Sequence, residues 1–484
     1  MSVQALLPWI ITLPLLTAIA VLLTGRWPNL REAVSLAAGV VQFILVALLA
    51  TSWTPETTYN LVLAEPIPGM VLSLSPEPLG LLFALIASFL WPVTTLYAIG
   101  YMRGHGEQNQ TRFYAAFAIS IAAAMGIAMA ADMLTLFIFY EVLTLATYPL
   151  VTHAGTDKAR KAGRVYLFLL MGTSVGLLLL AVIWTWLITG TLSFTPGGVF
   201  GPETDGLLLS VLLMLYVLGT GKAALMPFHR WLPAAMVAPT PVSALLHAVA
   251  VVKAGVFTIL KVAVYIFGID TLAGLAAADW LAALAGLTIL LASLIAMTRD
   301  NLKARLAYST VSQLGYIVLG AMLGTAAGVI GGGMHIAMHA FGKITLFFCA
   351  GAILVAAHKT RVSELDGLGR QMPLTMMAFT IGALSIVGLP PFGGTWSKWV
   401  LVQGTLDAGL WLLTAVLMVS SLLNILYLMV VPLRGFFATP ATEVSGIREA
   451  PLPSLLAMAV TATGCLLLFF YAEPIYRLVE GVLS

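Results

Sequence analysis

Charge is scarce in this chain of 484 residues. Lys, Arg, Asp and Glu together make up 9% of it, hydrophobic residues make up 60%, and mean hydropathy is +1.02. That balance excludes a soluble multidomain protein. The net charge of +3 comes from dispersed bases, so no basic patch for nucleic acid exists. The two cysteines, Cys349 and Cys465, lie inside apolar runs, and imply neither a disulfide framework nor a cysteine metal site. Walker, Rossmann, Cys-x-x-Cys and nucleophile-elbow signatures are missing, so no nucleotide or hydrolytic chemistry is indicated. The first apolar run, Leu6–Thr24, lacks a basic leader and a small-residue cleavage site, and reads as a retained helix.

What the chain has in abundance is apolar runs of about 20 residues, the length that crosses a hydrocarbon core of ~30 Å. About fourteen spans can be placed, near 5–24, 31–52, 79–101, 112–130, 133–152, 164–188, 206–225, 240–263, 273–297, 306–325, 328–356, 373–405, 409–432 and 452–472. The twelfth window is too long for one straight helix and contains LPPFGG, so a break in mid-membrane is expected. The fold class is all-α and polytopic. Loops after odd-numbered spans carry the bases, among them Arg26, Arg103, Lys158, Arg230, Arg299, Lys359 and Arg434. The opposite loops are mainly acidic, with Arg477 their one clear base. Because positive residues favour the cytoplasmic side, this pattern puts both termini outside an inner, plasma membrane. The segments near 52–78 and 191–205 read as outer-face caps.

Two lysine-bearing spans are interrupted in the same manner. Span seven carries Gly219, Gly221, Lys222 and Pro227; span twelve carries Gly388, Pro390, Pro391, Gly393, Gly394 and Lys398. Five helices separate them, so they fit two inverted five-helix units, and paired interrupted helices of this kind point to a transport site. The division is then 1–110 for three leading helices, 111–265 and 266–435 for the repeats, and 436–484 for the last helix.

A lysine in mid-span costs at least ~2.5–3.5 kcal/mol on the insertion scale, so each ionisable group there needs a polar partner or a wet cavity. The group comprises Glu141, Lys222, Lys253, Lys343 and Lys398, with His247, His335 and His339. Glu141 has no charged neighbour within two turns and is a candidate partner for Lys222. His335, His339 and Lys343 follow at i, i+4 and i+8 and share one helix face. Such histidines could ligate haem or a metal; Lys343, which a metal would repel, favours a relay of protonatable groups instead. Lys261, near the outer end of span eight, reads as snorkelling to the interface. Asp132 reads as a helix N-cap, and Thr298–Tyr308 as an interface anchor and helix start. Gly331–Gly333 serve either a loosened helix or close packing.

The stretches FYEVLTLATYPLV, GKAALMPFHRWLPAAMVAPTPVSALLHA, RDNLKARLAYSTVSQLGY, MHIAMHAFGK and GLPPFGGTWSK resemble the antiporter-like membrane subunits shared by respiratory complex I, membrane-bound hydrogenases and multisubunit Mrp-type cation/proton antiporters. The resemblance implies fourteen helices with inverted repeats over helices 4–8 and 9–13, and with helices 7 and 12 discontinuous. By motif position it implies a proton relay through Glu141, Lys222, Lys253, His335, His339, Lys343 and Lys398, with no cofactor and no metal of its own. Lys398 stands where some complex I subunits have glutamate, which points to an Mrp-type D subunit; APTPVSALLHA and the histidine pair look closer to the long subunit. The implied role is a secondary-transporter subunit exchanging protons for Na⁺ beside other integral membrane subunits. The alternatives are a pumping subunit of a redox complex, without a redox site of its own, and a haem- or quinone-binding subunit.

Overall fold

The structure is a computed structural model describing residues 5–54, 59–440 and 446–483. The helices are α1 (Leu6–Leu23), α2 (Pro28–Ser52), α3 (Pro78–Gly104), α4 (Gln110–Met129), α5 (Met133–Val151), α6 (Asp157–Thr189), α7 (Gly206–Gly219), α8 (Thr240–Phe267) and α9 (Ala276–Thr298). They continue with α10 (Leu302–Met322), α11 (Ala326–Ala357), α12 in two halves (Pro373–Val387 and Gly394–Asp407), α13 (Trp411–Phe437), α14 (Leu452–Phe470) and a short α15 (Glu473–Glu480). Among the described residues eleven helices are long and apolar enough to cross a membrane. Every expected span has its helix, including the two that break. The chain is an all-α, multi-pass membrane protein.

A pair of strands was not expected. The loop between α2 and α3 holds an antiparallel hairpin, β1 (Leu61–Ile67) and β2 (Met70–Leu74), turned at Gly69 with φ +85°. Its inner edge is fixed by Asp132, whose carboxylate accepts from the Ser73 amide at 3.3 Å and from its own helix at the Thr135 amide, 2.7 Å. Asp132 is therefore the N-cap of α5, as its type and position suggest.

Burial grades from the edges inward. Only 33–39% of the α1, α2, α6 and α14 windows is buried, whereas every residue of α8 is buried and α3, α4, α10 and α11 are largely so. These five helices form the core in which charge has to be accommodated. Close approach depends on glycine. A Cβ on Gly255 of α8 would overlap the Lys222–Ala223 backbone, and one on Gly331 would lie 2.7 Å from the Leu401 amide nitrogen. A Cβ on Gly333 would lie 2.6 Å from Val479 Cγ1, on α15. The run Gly331–Gly333 thus serves packing on two sides.

The Thr298–Tyr308 segment starts α10 with Asn301 as N-cap. Thr298–Asn301 are exposed, whereas Lys303 reaches inward to the Ala238 carbonyl at 2.5 Å and Arg305 is buried against the Tyr427 carbonyl at 3.0 Å. Asp300 ties this loop to the α11–α12 loop by accepting from the Ser363 hydroxyl at 2.7 Å and the Ser363 amide at 2.9 Å.

Candidate proton-relay site

Lys222 occupies the peptide that follows α7. The helix stops at Gly219, Ala224 is left-handed at φ +54°, and the freed Gly221 carbonyl accepts from Trp231 Nε1 at 2.9 Å. Irregular backbone at this depth is tolerated only where protein or a wet cavity replaces the lost bonds, and α5 supplies them. The Lys222 amide donates to Tyr140 Oη at 3.1 Å. Its Nζ donates to the Tyr140 carbonyl at 2.8 Å and to Thr144 Oγ1 at 2.6 Å, and lies 3.1 Å from the Tyr140 ring centroid. A lysine over an aromatic face in a desolvated place gains a cation–π attraction of ~2 kcal/mol.

Glu141 is not bonded to Lys222. Among the described residues no carboxylate lies within 4.0 Å of Nζ, and both Glu141 oxygens are buried without a hydrogen-bond partner. Tyr140 and Thr144 are four residues apart on one face of α5; Glu141 is turned ~100° from it. The expected ion pair is replaced by neutral acceptors and a ring.

Across the core, Lys253 and His339 meet. Lys253 Nζ stands 2.6 Å from His339 Nδ1, both residues fully or almost fully buried. Four residues back on α11, His335 Nδ1 is 2.9 Å from Ser397 Oγ in the second half of α12, and its Nε2 is 3.2 Å from Gln313 Oε1 of α10. The two imidazole centroids are 5.8 Å apart. Tyr316 stacks on His335 at 5.6 Å, and its ring centroid lies 4.9 Å from Lys398 Nζ. Lys343, four residues past His339, donates to Ser309 Oγ at 2.5 Å, and Ser309 is bonded at 2.9 Å to Tyr427 Oη, which donates in turn to Asn424.

Lys398 lies where α12 is broken. Gly388 takes φ +88°, Nζ donates to the freed Val387 carbonyl at 3.0 Å, and a second bond runs to Ser421 Oγ at 3.1 Å. The two breaks share a design: a helix ending at glycine, a lysine at the break, and a cis prolyl bond, Met226–Pro227 in one and Pro390–Pro391 in the other.

His247 sits in a π-helical turn of α8, Leu245–Val249, its ring 4.5 Å from Phe347 and, among the described residues, both nitrogens without a bonded partner. Such turns recur at functional sites. Lys261 departs from expectation. It does not snorkel: it is fully buried, 3.4 Å from Glu77 Oε1, bonded to the Ala130 carbonyl at 2.8 Å and 3.9 Å from the Phe194 ring centroid. The start of α3 and the loop after α6 cover this end of α8, closing the route to water. Among the described residues no three His, Cys, Asp or Glu side chains gather as a metal-ligand set.

Residues 130–424, more than half of the chain, match the family model described as NADH:quinone oxidoreductase/Mrp antiporter, transmembrane. The chain belongs to this family. The stretch matched runs from the Ala130 carbonyl beside Lys261 to Asn424 beside Tyr427, and contains every one of the seven expected relay residues. NADH-quinone oxidoreductase subunit N of Desulforudis audaxviator is 36% identical over 457 residues, 92% of this chain and 89% of that relative. Subunit L of Mycobacterium tuberculosis is 31% identical over 418 residues, and NAD(P)H-quinone oxidoreductase chain 5 of Synechocystis 32% over 347. The alignments take in 64% and 48% of those two longer proteins. Among solved structures, a chain of the Mrp complex from Dietzia superposes with TM-score 0.88 at 23% identity, covering 100% of this chain and 97% of that one. A chain of the membrane-bound sulfane sulfur reductase, an archaeal respiratory membrane complex, gives 0.87 at 24% identity, covering 99% and 98%. These two likenesses speak for the fold.

Three parts of the site escaped the sequence reading. Tyr140 and Thr144, which hold Lys222, flank the more conspicuous Glu141. Ser309, Gln313 and Tyr316 recur at i, i+4 and i+7 and line one face of α10, a helical spacing that could have been read from RLAYSTVSQLGY. Ser397, beside Lys398, and Ser421, beside Ser420, carry no spacing that points to the lysine or the histidine they meet.

Proposed function

We propose that the chain is the proton-translocating subunit of a multisubunit membrane assembly, and that protons move along the buried row from Lys222 to Lys398. The observation that carries this reading is the 2.6 Å contact of Lys253 with His339, which joins α8 of the first half to the histidine face of α11 in the second. Protonation at Lys222 loads the first broken helix. Charge then passes by way of Lys253, His339 and His335, with Lys343 on the same face, and arrives at Lys398 in the other. Two positive charges in a buried setting repel by kilocalories rather than tenths, so a proton entering one half alters the occupancy of the next group. Glu141, a carboxylate near Lys222 yet not bonded to it, can favour the charged lysine without locking it.

The assembly in this proposal is an Mrp-type antiporter exchanging H⁺ for a monovalent cation such as Na⁺, with this chain in the position of a D-type subunit, in an inner (plasma) membrane with both termini outside. Its partners are other integral membrane subunits. Lys398 supports that choice. The 36% identity to a subunit N over 92% of the chain favours a second reading, a pumping subunit driven by a redox complex. Subunits that co-purify in mild detergent distinguish the two, since flavin and iron–sulfur proteins accompany only the second. The relay is tested by Lys222→Ala and Lys398→Ala in vesicles carrying the assembly. Both should abolish coupled proton movement, and unchanged transport in both would discard the proposal.

A further inference from the structure

The histidine branch stops short of Lys398. His335 meets Ser397 and Gln313. Ser397 donates onward to the Gly394 carbonyl at 3.3 Å, and Gln313 offers its amide oxygen. A carbonyl oxygen accepts and has no proton to hand on. A different set of groups does reach Lys398, and it starts at Lys343. Ser309 of α10 takes Lys343 Nζ at 2.5 Å and lies 2.9 Å from Tyr427 Oη of α13. The Tyr427 hydroxyl also interacts with Ser293 of α9, and Ser293 Oγ is 3.1 Å from Ser420 Oγ of α13. Ser420 interacts with Tyr316 of α10. Tyr316 Oη is 3.5 Å from Ser421 Oγ, which is 3.1 Å from Lys398 Nζ. All six side chains are buried except the half-buried Ser421. Their order follows from helix phase. Each of α10 and α13 carries a serine and, seven residues on, a tyrosine on the same face. The helices run in opposite senses, so the serine of each meets the tyrosine of the other, and Ser293 of α9 joins the two rungs.

We propose that this ladder of hydroxyls carries the proton from Lys343 to Lys398; it is the last leg of the relay put forward above, and rests on that reading. Every hydroxyl has one proton to give and lone pairs to take another, so the row can shift protons in concert without any oxygen holding a lasting charge. Before the transfer Lys343 is an ammonium and Lys398 a neutral amine, which donates to the Val387 carbonyl and accepts from Ser421. One N–H bond breaks at Lys343 as its proton passes to Ser309. Each hydroxyl then takes one proton and releases its own, and the Ser421 proton forms the new N–H bond at Lys398. Lys343 is left neutral, Lys398 becomes the ammonium, and the charge of the core is unchanged. Tyr427 gates the row: its hydroxyl donates to Asn424 in this structure, and the ladder closes when that hydrogen turns to Ser293. This route brings α9 and α13 into proton movement, which the lysines and histidines alone do not.

The test is coupled proton flux in vesicles carrying the full assembly, with monodisperse elution showing that each variant is folded. Ser293→Ala and Ser420→Ala each interrupt the ladder and should cut the flux at least about tenfold, since a positioned proton donor is worth ~10²–10⁴ in a transfer. Ser420→Thr keeps a hydroxyl and should restore most of it. Ser312→Ala controls for packing. Ser312 lies 2.9 Å from Ser293 and 3.4 Å from Ser420, but the direct contact between those two bypasses it, so flux should stay near native. An equal loss in Ser312→Ala, or a Ser420→Thr no better than Ser420→Ala, would make the effect one of packing and overturn the ladder. Native flux in Ser293→Ala and Ser420→Ala, beside a Lys398→Ala that transports nothing, would overturn the ladder and leave the relay standing. Native flux in Lys222→Ala and Lys398→Ala would remove both.

Discussion

Lys253 and His339 share one hydrogen bond, 2.6 Å long, between helices 86 positions apart in sequence. No other polar contact reaches the Lys253 ammonium among the described residues, so the two side chains act as a unit. Lys253→Gln and His339→Gln should each reduce coupled proton transport at least about tenfold, and the double variant should be little worse than either single. That non-additivity is the mark of residues in direct contact. Vesicle proton-flux assays on the three variants measure it; independent, multiplying losses would mean the contact is not part of the path.

Glu141 yields a contrast between stability and transport. Among the described residues its carboxyl oxygens have no bonded partner to lose, so an amide in their place breaks no hydrogen bond. Glu141→Gln should therefore leave the detergent unfolding temperature unchanged, while slowing proton transport. A drop in both would reveal a structural partner instead.

Lys261 should behave in the opposite way. Lys261→Met strands Glu77 beside a buried surface and should cost about 3 kcal/mol, the low end for breaking a buried pair because Glu77 keeps some access to water. Adding Glu77→Gln, which preserves an acceptor for the α3 amides at Leu79 and Gly80, should recover part of the loss. Thermal unfolding of the single and double variants checks this, and no recovery would show that Lys261 is held by the Ala130 carbonyl alone.

At the loops, pH enters through Asp300. The Ser363 hydroxyl and amide hold its carboxyl below the usual carboxylate range. A depressed folded value means that the clamp contributes above the ordinary carboxylate range and is lost as pH falls through the depressed one. Hydrogen exchange at residues 299–305 and 360–364 should accelerate in Ser363→Ala at neutral pH by the equivalent of about 1 kcal/mol. The same segments of the native chain should loosen only under strongly acidic conditions.

How much of this could be read from the residues differs by kind. The helix breaks were legible because GTGKAALMP and GLPPFGGTWSK combine glycine, proline and lysine where an uninterrupted apolar helix would carry none of them. The histidine face was legible as a four-residue spacing. The partners were not. Opposite charge made Glu141 the natural mate of Lys222, whereas helix phase turns Tyr140 and Thr144 toward the break. Position near a helix end suggested that Lys261 reaches water, but the start of α3 and the loop holding Phe194, remote in sequence, close over it. Periodicity reports what one helix offers, and the covering of its ends is decided elsewhere in the chain.

The contact of Val479 with Gly333 has a consequence for biosynthesis. Gly333 is two residues from His335, and the surface it offers is covered by a helix near the far end of the sequence. Helices enter a membrane in the order they are made, so α11 must wait through three further spans, α12, α13 and α14, before α15 closes that surface. Until residue 479 has left the ribosome the histidine helix has one open flank. A chain interrupted before residue 473 therefore carries α11 without the helix that packs on Gly333.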